Sequence, residues 1–287
     1  MRPETALILL FAVATAVAIA TRRLKIPYTV ALVIAGLGLG ATHLVDGIHL
    51  TKELLYSVFL PGLIFEAAYH LKFSDFRANA TAILSLAVPG VLATIGATAT
   101  LLVTSSGVAD FAPDFGWPHA LVFAALIAAT DPIAVVALFK SLGAPARLSV
   151  LAEGESLVND GTSIVLFSIV YAAATGGGTS VAVGVREFVT VAGAGLAVGM
   201  TLGFATSRVM KRVDDPMIEI TLTTIAAYGS FAIAEQWHFS GVIATVTSGM
   251  LCGSFAAPRA MSPATRIAVE SFWEYLAFAL NSLVFLL

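Results

Sequence analysis

Residues 80–104 read ATAILSLAVPGVLATIGATATLLVT, twenty-five positions without a charged side chain. A helix that long crosses the roughly 30 Å hydrocarbon core of a bilayer. The apolar residues fill every face of it, so the run does not have the spacing of a half-wetted surface helix. The same pattern recurs outward in both directions, giving ten apolar segments at about 5–21, 28–44, 53–71, 79–104, 118–139, 150–174, 187–208, 217–236, 239–255 and 270–287. Composition agrees, with 58% of residues hydrophobic and 11% charged, against about 25% charged in a soluble domain. The fold class read from this is an all-α integral membrane protein, a polytopic helical bundle. Nucleic acid is excluded as a partner because there is neither a basic patch nor basic–aromatic interleaving. Cys252 is the single cysteine, which leaves no disulfide or cysteine metal site within one chain.

Charge placement gives the orientation. Only Arg2 precedes the first apolar stretch while Arg22, Arg23 and Lys25 follow it, the reverse of a cleaved signal peptide. The odd-numbered connectors hold twelve of the fifteen Lys and Arg, from Arg22 through Lys72, Arg77, Lys140, Arg147, Arg208, Lys211 and Arg212 to Arg259 and Arg266. The other side holds Arg2, Lys52 and Arg186. By the positive-inside bias the odd connectors are cytoplasmic and the N-terminus is outside a cell (plasma or inner) membrane. The tenth segment runs to Leu287 without a polar cap. A helix ending in hydrocarbon would leave carbonyls unsatisfied, so the natural polypeptide is expected to continue.

Ionisable residues inside a membrane are costly and mark function. Four sit in or against apolar segments: Glu66, Asp131, Glu155 and Asp160. Asp131 lies mid-way along the fifth segment in Thr130-Asp131-Pro132. Pro132 has no N–H and biases the preceding residue away from helix, which predicts a broken fifth helix with Asp131 as N-cap and Pro132 as first residue of the second half. A break frees carbonyls such as that of Thr130 to ligate a cation. The competing explanation is an ordinary proline kink.

In the sixth segment Ser156, Asn159, Asp160 and Ser163 fall at i, i+3, i+4 and i+7, one polar stripe on an apolar helix, with Glu155 bordering it. Polar contacts between helices account for Ser and Asn. They account poorly for Asp160, a carboxylate in hydrocarbon that must bind a cation or a proton. Glu66 lies deep in the third segment, one turn after a kink expected at Pro61-Gly62, and His70 a turn later is placed to modulate proton access. Asn281 reads as an interhelical hydrogen bonder.

With these stretches quoted, the chain resembles the electroneutral sodium/proton exchangers, NhaP-like in prokaryotes. The resemblance rests on Leu60-Pro61-Gly62-Leu63-Ile64-Phe65-Glu66, Thr130-Asp131-Pro132-Ile133-Ala134-Val135 and Glu153-Gly154-Glu155-Ser156-Leu157-Val158-Asn159-Asp160, with Phe239-Ser240-Gly241-Val242-Ile243-Ala244 and Gly249. It implies inverted repeats, the first at about 5–174 and a partial second at about 217–287, joined by a linking helix at about 187–208. On that pattern the bundle is truncated after about ten of thirteen helices. It also implies that Asp160 is the shared cation and proton carboxylate, and that Na+ is held by Asp160, Ser156, the Thr130 carbonyl and Glu66. Asp131 and Asn159 would support that shell. Glu155 would pair with an arginine on an eleventh helix. A homodimer is implied, with no cofactor beyond the transported Na+ (or similar monovalent cation) and H+.

The function expected is therefore a secondary transporter rather than an enzyme: an antiporter serving sodium transport and pH homeostasis, electroneutral because Asn159 stands where a second acid would add a charge. Two rivals are an intramembrane aspartyl protease using Asp131 and Asp160, and a cation channel. The first would be expected to carry Gly before one Asp, where Thr130 and Asn159 stand here. The second needs a continuous polar path, whereas the polar residues cluster at one depth.

Overall fold

A computed structural model describes residues 3–24, 27–41, 50–109, 115–132, 135, 136, 138, 139, 142–177 and 181–287. The charges at Arg2, Lys25 and Lys140, and Ile133 and Ala134 of the break motif, lie outside the described residues. The described residues are predominantly helical, without a strand. The helices are α1 (Pro3–Leu24), α2 (Tyr28–Ala41), α3 (52–70), α4 (73–109), α5 (Trp117–Leu126), α6 (146–177), α7 (Val181–Met210), α8 (Pro216–Gln236), α9 (241–260) and α10 (Pro263–Leu286). Six of them are long and apolar enough to span a bilayer by length and composition.

Each sequence-predicted segment has its helix, but several helices start earlier than the apolar run. Helix α4 begins at Phe73 rather than 79, α6 at Ala146 rather than 150, α7 at Val181 rather than 187 and α10 at Pro263 rather than 270. The extra turns carry Arg77, Arg147, Arg186 and Arg266. Helical hydrogen bonding does not stop where hydrocarbon stops, so a reading of apolar residues clips the ends. Polar caps set several starts. Asp215 accepts from the N–H of Met217 (2.9 Å) and Ile218 (3.1 Å) with Pro216 in the first turn. Ser240 accepts from Ile243 at 3.2 Å and Ser262 from Thr265 at 3.3 Å.

Three helices widen into a π-type turn beside a proline: Leu55–Phe59 before Pro61, Leu86–Gly90 around Pro89, and Cys252–Ala256 before Pro258. A proline removes one N–H and crowds the carbonyl a turn earlier, and a wider turn absorbs both. The kink expected at Pro61-Gly62 takes this form.

Helix α9 is the centre of the bundle, with Gly241, Ala244, Thr245, Ser248 and Gly249 among its buried residues. On α7, Gly195, Gly199 and Gly203 repeat every fourth residue and face it. A Cβ at Gly195 would lie 2.6 Å from the Ser240 carbonyl, one at Gly199 would collide with the Ala244 carbonyl, and one at Gly203 would lie 2.9 Å from Leu251. Such stripes let membrane helices approach backbone to backbone. From the other side α3 meets Gly249 and Gly253 through the carbonyls of Phe65 and Tyr69. Between α8 and α9, Ser230 and Ser248 hydroxyls are 3.0 Å apart and Thr245 donates to the Ala227 carbonyl at 3.4 Å.

Helix α10 joins this core to α1 and α2. Trp273, fully buried, stacks near Phe65 (4.5 Å between centroids) and donates to Thr223 at 3.1 Å. Farther along, Ser282 and the Tyr28 hydroxyl lie 2.8 Å apart. Ser282, not the expected Asn281, makes the cross-helix bond, and among the described residues the Asn281 side chain makes none. The buried face of α10 runs through Ala279, Leu280, Ser282 and Leu286, which leaves Asn281 at its margin.

Candidate functional site

The site is built where α5 ends. Its last helical bonds are Ile127 to Phe123 (3.2 Å) and Ala128 to Ala125 (3.4 Å), and the next described one joins the Val136 N–H to the Pro132 carbonyl at 2.8 Å. Residues 128–132 are non-helical in the middle of the segment, so the break is a true interruption rather than a kink. The N–H groups that Asp131 would cap belong to residues 133 and 134, outside the described residues.

The stripe on α6 satisfies what the break exposes. Ser156 donates to the Thr130 carbonyl at 2.8 Å. The Asn159 amide nitrogen reaches the Ala128 carbonyl (3.2 Å), the Thr130 hydroxyl (2.9 Å) and Glu155 Oε1 (3.3 Å). Thr130 in turn donates to Glu155 Oε2 at 3.4 Å, and Ser163 donates to Asn159 Oδ1. Four predicted residues, Thr130, Glu155, Ser156 and Asn159, thus form one hydrogen-bonded network, with Ser156, Asn159 and Ser163 buried. One turn along α6, Thr162 donates to the Ala87 carbonyl in the wide turn of α4 at 2.8 Å.

Asp160 stands at the edge of the network, half-buried. Its carboxylate makes no hydrogen bond among the described residues, and the charges acting on it are those of Asp131 and Glu155. Glu66 is not brought into the network. Its Oε1 lies 3.3 Å from His70 Nδ1, whose other ring nitrogen lies 3.8 Å from Glu274 of α10. The charges acting on Glu66 are those of His70, Glu274 and Glu153 rather than Asp160.

A cavity of about 720 Å³ reaches the network. It opens among Lys52, Glu53 and Glu235 and ends at Ala129 of the break and Ser163. This mouth lies at the end of the bundle opposite the arginine-rich connectors. Among the described residues no cluster of His, Cys, Asp and Glu could hold a resident metal ion.

One buried acid escaped the sequence reading. Glu219 on α8 is fully buried, and neither carboxylate oxygen has a hydrogen-bond partner among the described residues. The signal was present: Glu219, Thr223, Ala226, Ala227 and Ser230 share the buried face of α8, the same periodicity that exposed the stripe on α6.

A polytopic bundle with a helix broken at mid-depth, its carbonyls held by a polar stripe and a free carboxylate beside them, has the architecture of a secondary ion transporter. The chain belongs to the family described as "Sodium/hydrogen exchanger, transmembrane", whose model matches residues 7–287. It is 41% identical over 92% of its length to the Na(+)/H(+) antiporter ApNhaP of Aphanothece halophytica, covering 49% of that protein. It is 36% identical over 96% of its length to the Na(+)/H(+) antiporter NhaG of Bacillus atrophaeus, covering 53%. The chain therefore spans about half the length of the curated relatives it matches. A solved structure of the sodium proton antiporter MjNhaP1 from Methanocaldococcus jannaschii superposes with a TM-score of 0.79 at 21% identity, over 100% of this chain and 69% of that one.

Proposed function

We propose that the protein exchanges a monovalent cation, Na+ in the first instance, for H+ across a cell membrane. Asp160 carries either cargo in turn. The observation supporting this most directly is the position of that residue: every other polar member of the stripe is hydrogen-bonded, while among the described residues the Asp160 carboxylate has no donor and the charges of Asp131 and Glu155 act on it. Such a group gains from a proton or a small cation and has no room in its charge balance for both. The Thr130 carbonyl and the Ser156 hydroxyl beside it are oxygen ligands suited to a hard cation. Glu66 would complete the shell only after leaving His70, a rearrangement of α3 against α6. Access would alternate, with the cavity at Lys52, Glu53 and Glu235 as one approach. The N-terminus lies outside, the protein forms a homodimer, and the exchange is one for one because Asn159 has no titratable proton.

The test is the Asp160→Asn variant of the protein in everted vesicles. The expected result is loss of cation-driven proton movement with an unchanged thermal unfolding midpoint. Robust residual exchange would sink the assignment.

A further inference from the structure

At the end of the bundle bearing the odd-numbered connectors, a cavity of about 900 Å³ opens between the α3–α4 corner and the α9–α10 corner. Lys72, Arg77, Arg259 and Arg266 line it, and no carboxylate does. Arg259 and Phe255 are shared with an adjoining cavity of about 430 Å³ that adds Arg208 and Lys211, again without a carboxylate. Among the described residues only Arg266 of these six has an ion-pair partner, Glu270 at 2.7 Å. Arg259 lies 5.3 Å from the Phe255 ring centroid, which holds its guanidinium over the wall the two cavities share. The start of α4 also lines the larger cavity through Phe73, whose N–H donates to Ser254 Oγ at 2.8 Å, and Ser74. Asp75, the nearest acid along the chain, is engaged by the Ser74 hydroxyl at 3.2 Å.

A general excess of Lys and Arg on one side needs no ligand. What goes beyond that excess is convergence: three connectors far apart in sequence direct their cations into joined hollows. At the opposite end Lys52 shares its cavity with Glu53 and Glu235. Like charges gathered in one hollow repel, and an anion relieves the repulsion. Guanidinium groups match phosphate oxygens in geometry as well as charge. Repulsion also makes this hollow a poor route for a transported cation.

We propose that the joined cavity binds a phosphate-bearing anion at the membrane surface, linking α4 to the α9–α10 corner. The proposal rests on the fold and not on the antiport reading. Its source is either the headgroup of an anionic phospholipid or soluble phosphate, and the experiment separates them. The purified protein in neutral detergent is titrated, at fixed ionic strength, with phosphatidylglycerol, phosphatidylcholine or inorganic phosphate, reading the unfolding midpoint. A shift with phosphatidylglycerol alone identifies a lipid headgroup, and a shift with inorganic phosphate as well identifies the free anion. The double substitution Arg77→Gln with Arg259→Gln is expected to weaken apparent affinity on the order of five-fold for each charge removed. Arg22→Gln with Arg23→Gln removes the same charge outside the cavity and should leave affinity unchanged. Should the first pair not fold, Lys72→Gln carries the same comparison. No shift with either anion, or equal weakening in cavity and control variants, overturns the proposal.

Discussion

The amide of Asn159 reaches two elements of the broken helix and one acid on its own helix, while its oxygen accepts from Ser163. Replacing it with Ala would leave the Ala128 carbonyl and the Thr130 hydroxyl without that donor. Each buried polar group left unpaired costs about 1–3 kcal/mol, so Asn159→Ala should lower the unfolding midpoint, as should Asn159→Asp, whose ionised carboxylate cannot donate and would sit against Glu155. Calorimetry or a dye-based melt of the two variants checks this, and midpoints equal to the parent's would contradict the network. Glu219 makes the opposite case. Fully buried and without a hydrogen-bond partner among the described residues, this carboxylate weakens the fold, so Glu219→Leu is expected to stabilise by about 1–3 kcal/mol. A lower midpoint would mean that Glu219 has a ligand or partner of its own. At this scale the stripe of α6 was legible because helical period alone places Ser156, Asn159 and Ser163 together. Period could not choose between Asn281 and Ser282, since the neighbouring α1 and α2 decide which face of α10 is buried. Period did set His70 one turn after Glu66, but it could not show that this pair lies apart from the stripe of α6.

The elements owe their positions to features of different legibility. Long apolar runs named each helix, and Thr130-Asp131-Pro132 named the break. The wide turns beside Pro61, Pro89 and Pro258 were not readable, because a proline admits a kink, a wide turn or a break, and packing selects among them. The glycine stripe on α7 was present in the sequence but acquires meaning only opposite α9. Gly199→Val would drive a side chain into the Ala244 carbonyl, and overpacking of this kind costs about 1–3 kcal/mol or more. The expected result is a lower midpoint or loss of the folded protein, and a midpoint equal to the parent would show that the two helices can part.

The α7–α8 connector carries a separate latch. Asp214, fully exposed, is held below the usual carboxylate range by hydrogen bonds from Ser262 and Thr265, the latter at 3.0 Å. A carboxylate depressed on folding stabilises above its unfolded value, near pH 4, and that contribution fades as pH falls through the lower folded value. Asp214→Asn should therefore melt lower than the parent at neutral pH and converge with it in strong acid. A gap that persists unchanged in acid would remove the latch.

For the whole molecule, charge distribution and apolar runs were enough to read a polytopic bundle with alternating basic connectors, and the structure draws residues of the third, seventh and ninth connectors to one end. The cavities had no sequence signature, since their walls come from helices far apart along the chain. The proposed one-for-one exchange has a direct consequence. Reconstituted in liposomes, the protein should respond to a pH gradient and not to an imposed membrane potential of either sign. A rate that follows the potential would refute the stoichiometry read from Asn159.

The central claim is that one carboxylate holds cation or proton but never both, and the pH dependence of cation affinity tests it most directly. In liposomes at zero potential, the apparent KM for Na+ is measured across a series of symmetric pH values. Competition at Asp160 predicts that KM rises as pH falls, approaching ten-fold per pH unit on the acid limb, while the rate at saturating Na+ is preserved. A KM that stays flat while the maximal rate changes would place the proton on another group and contradict the account.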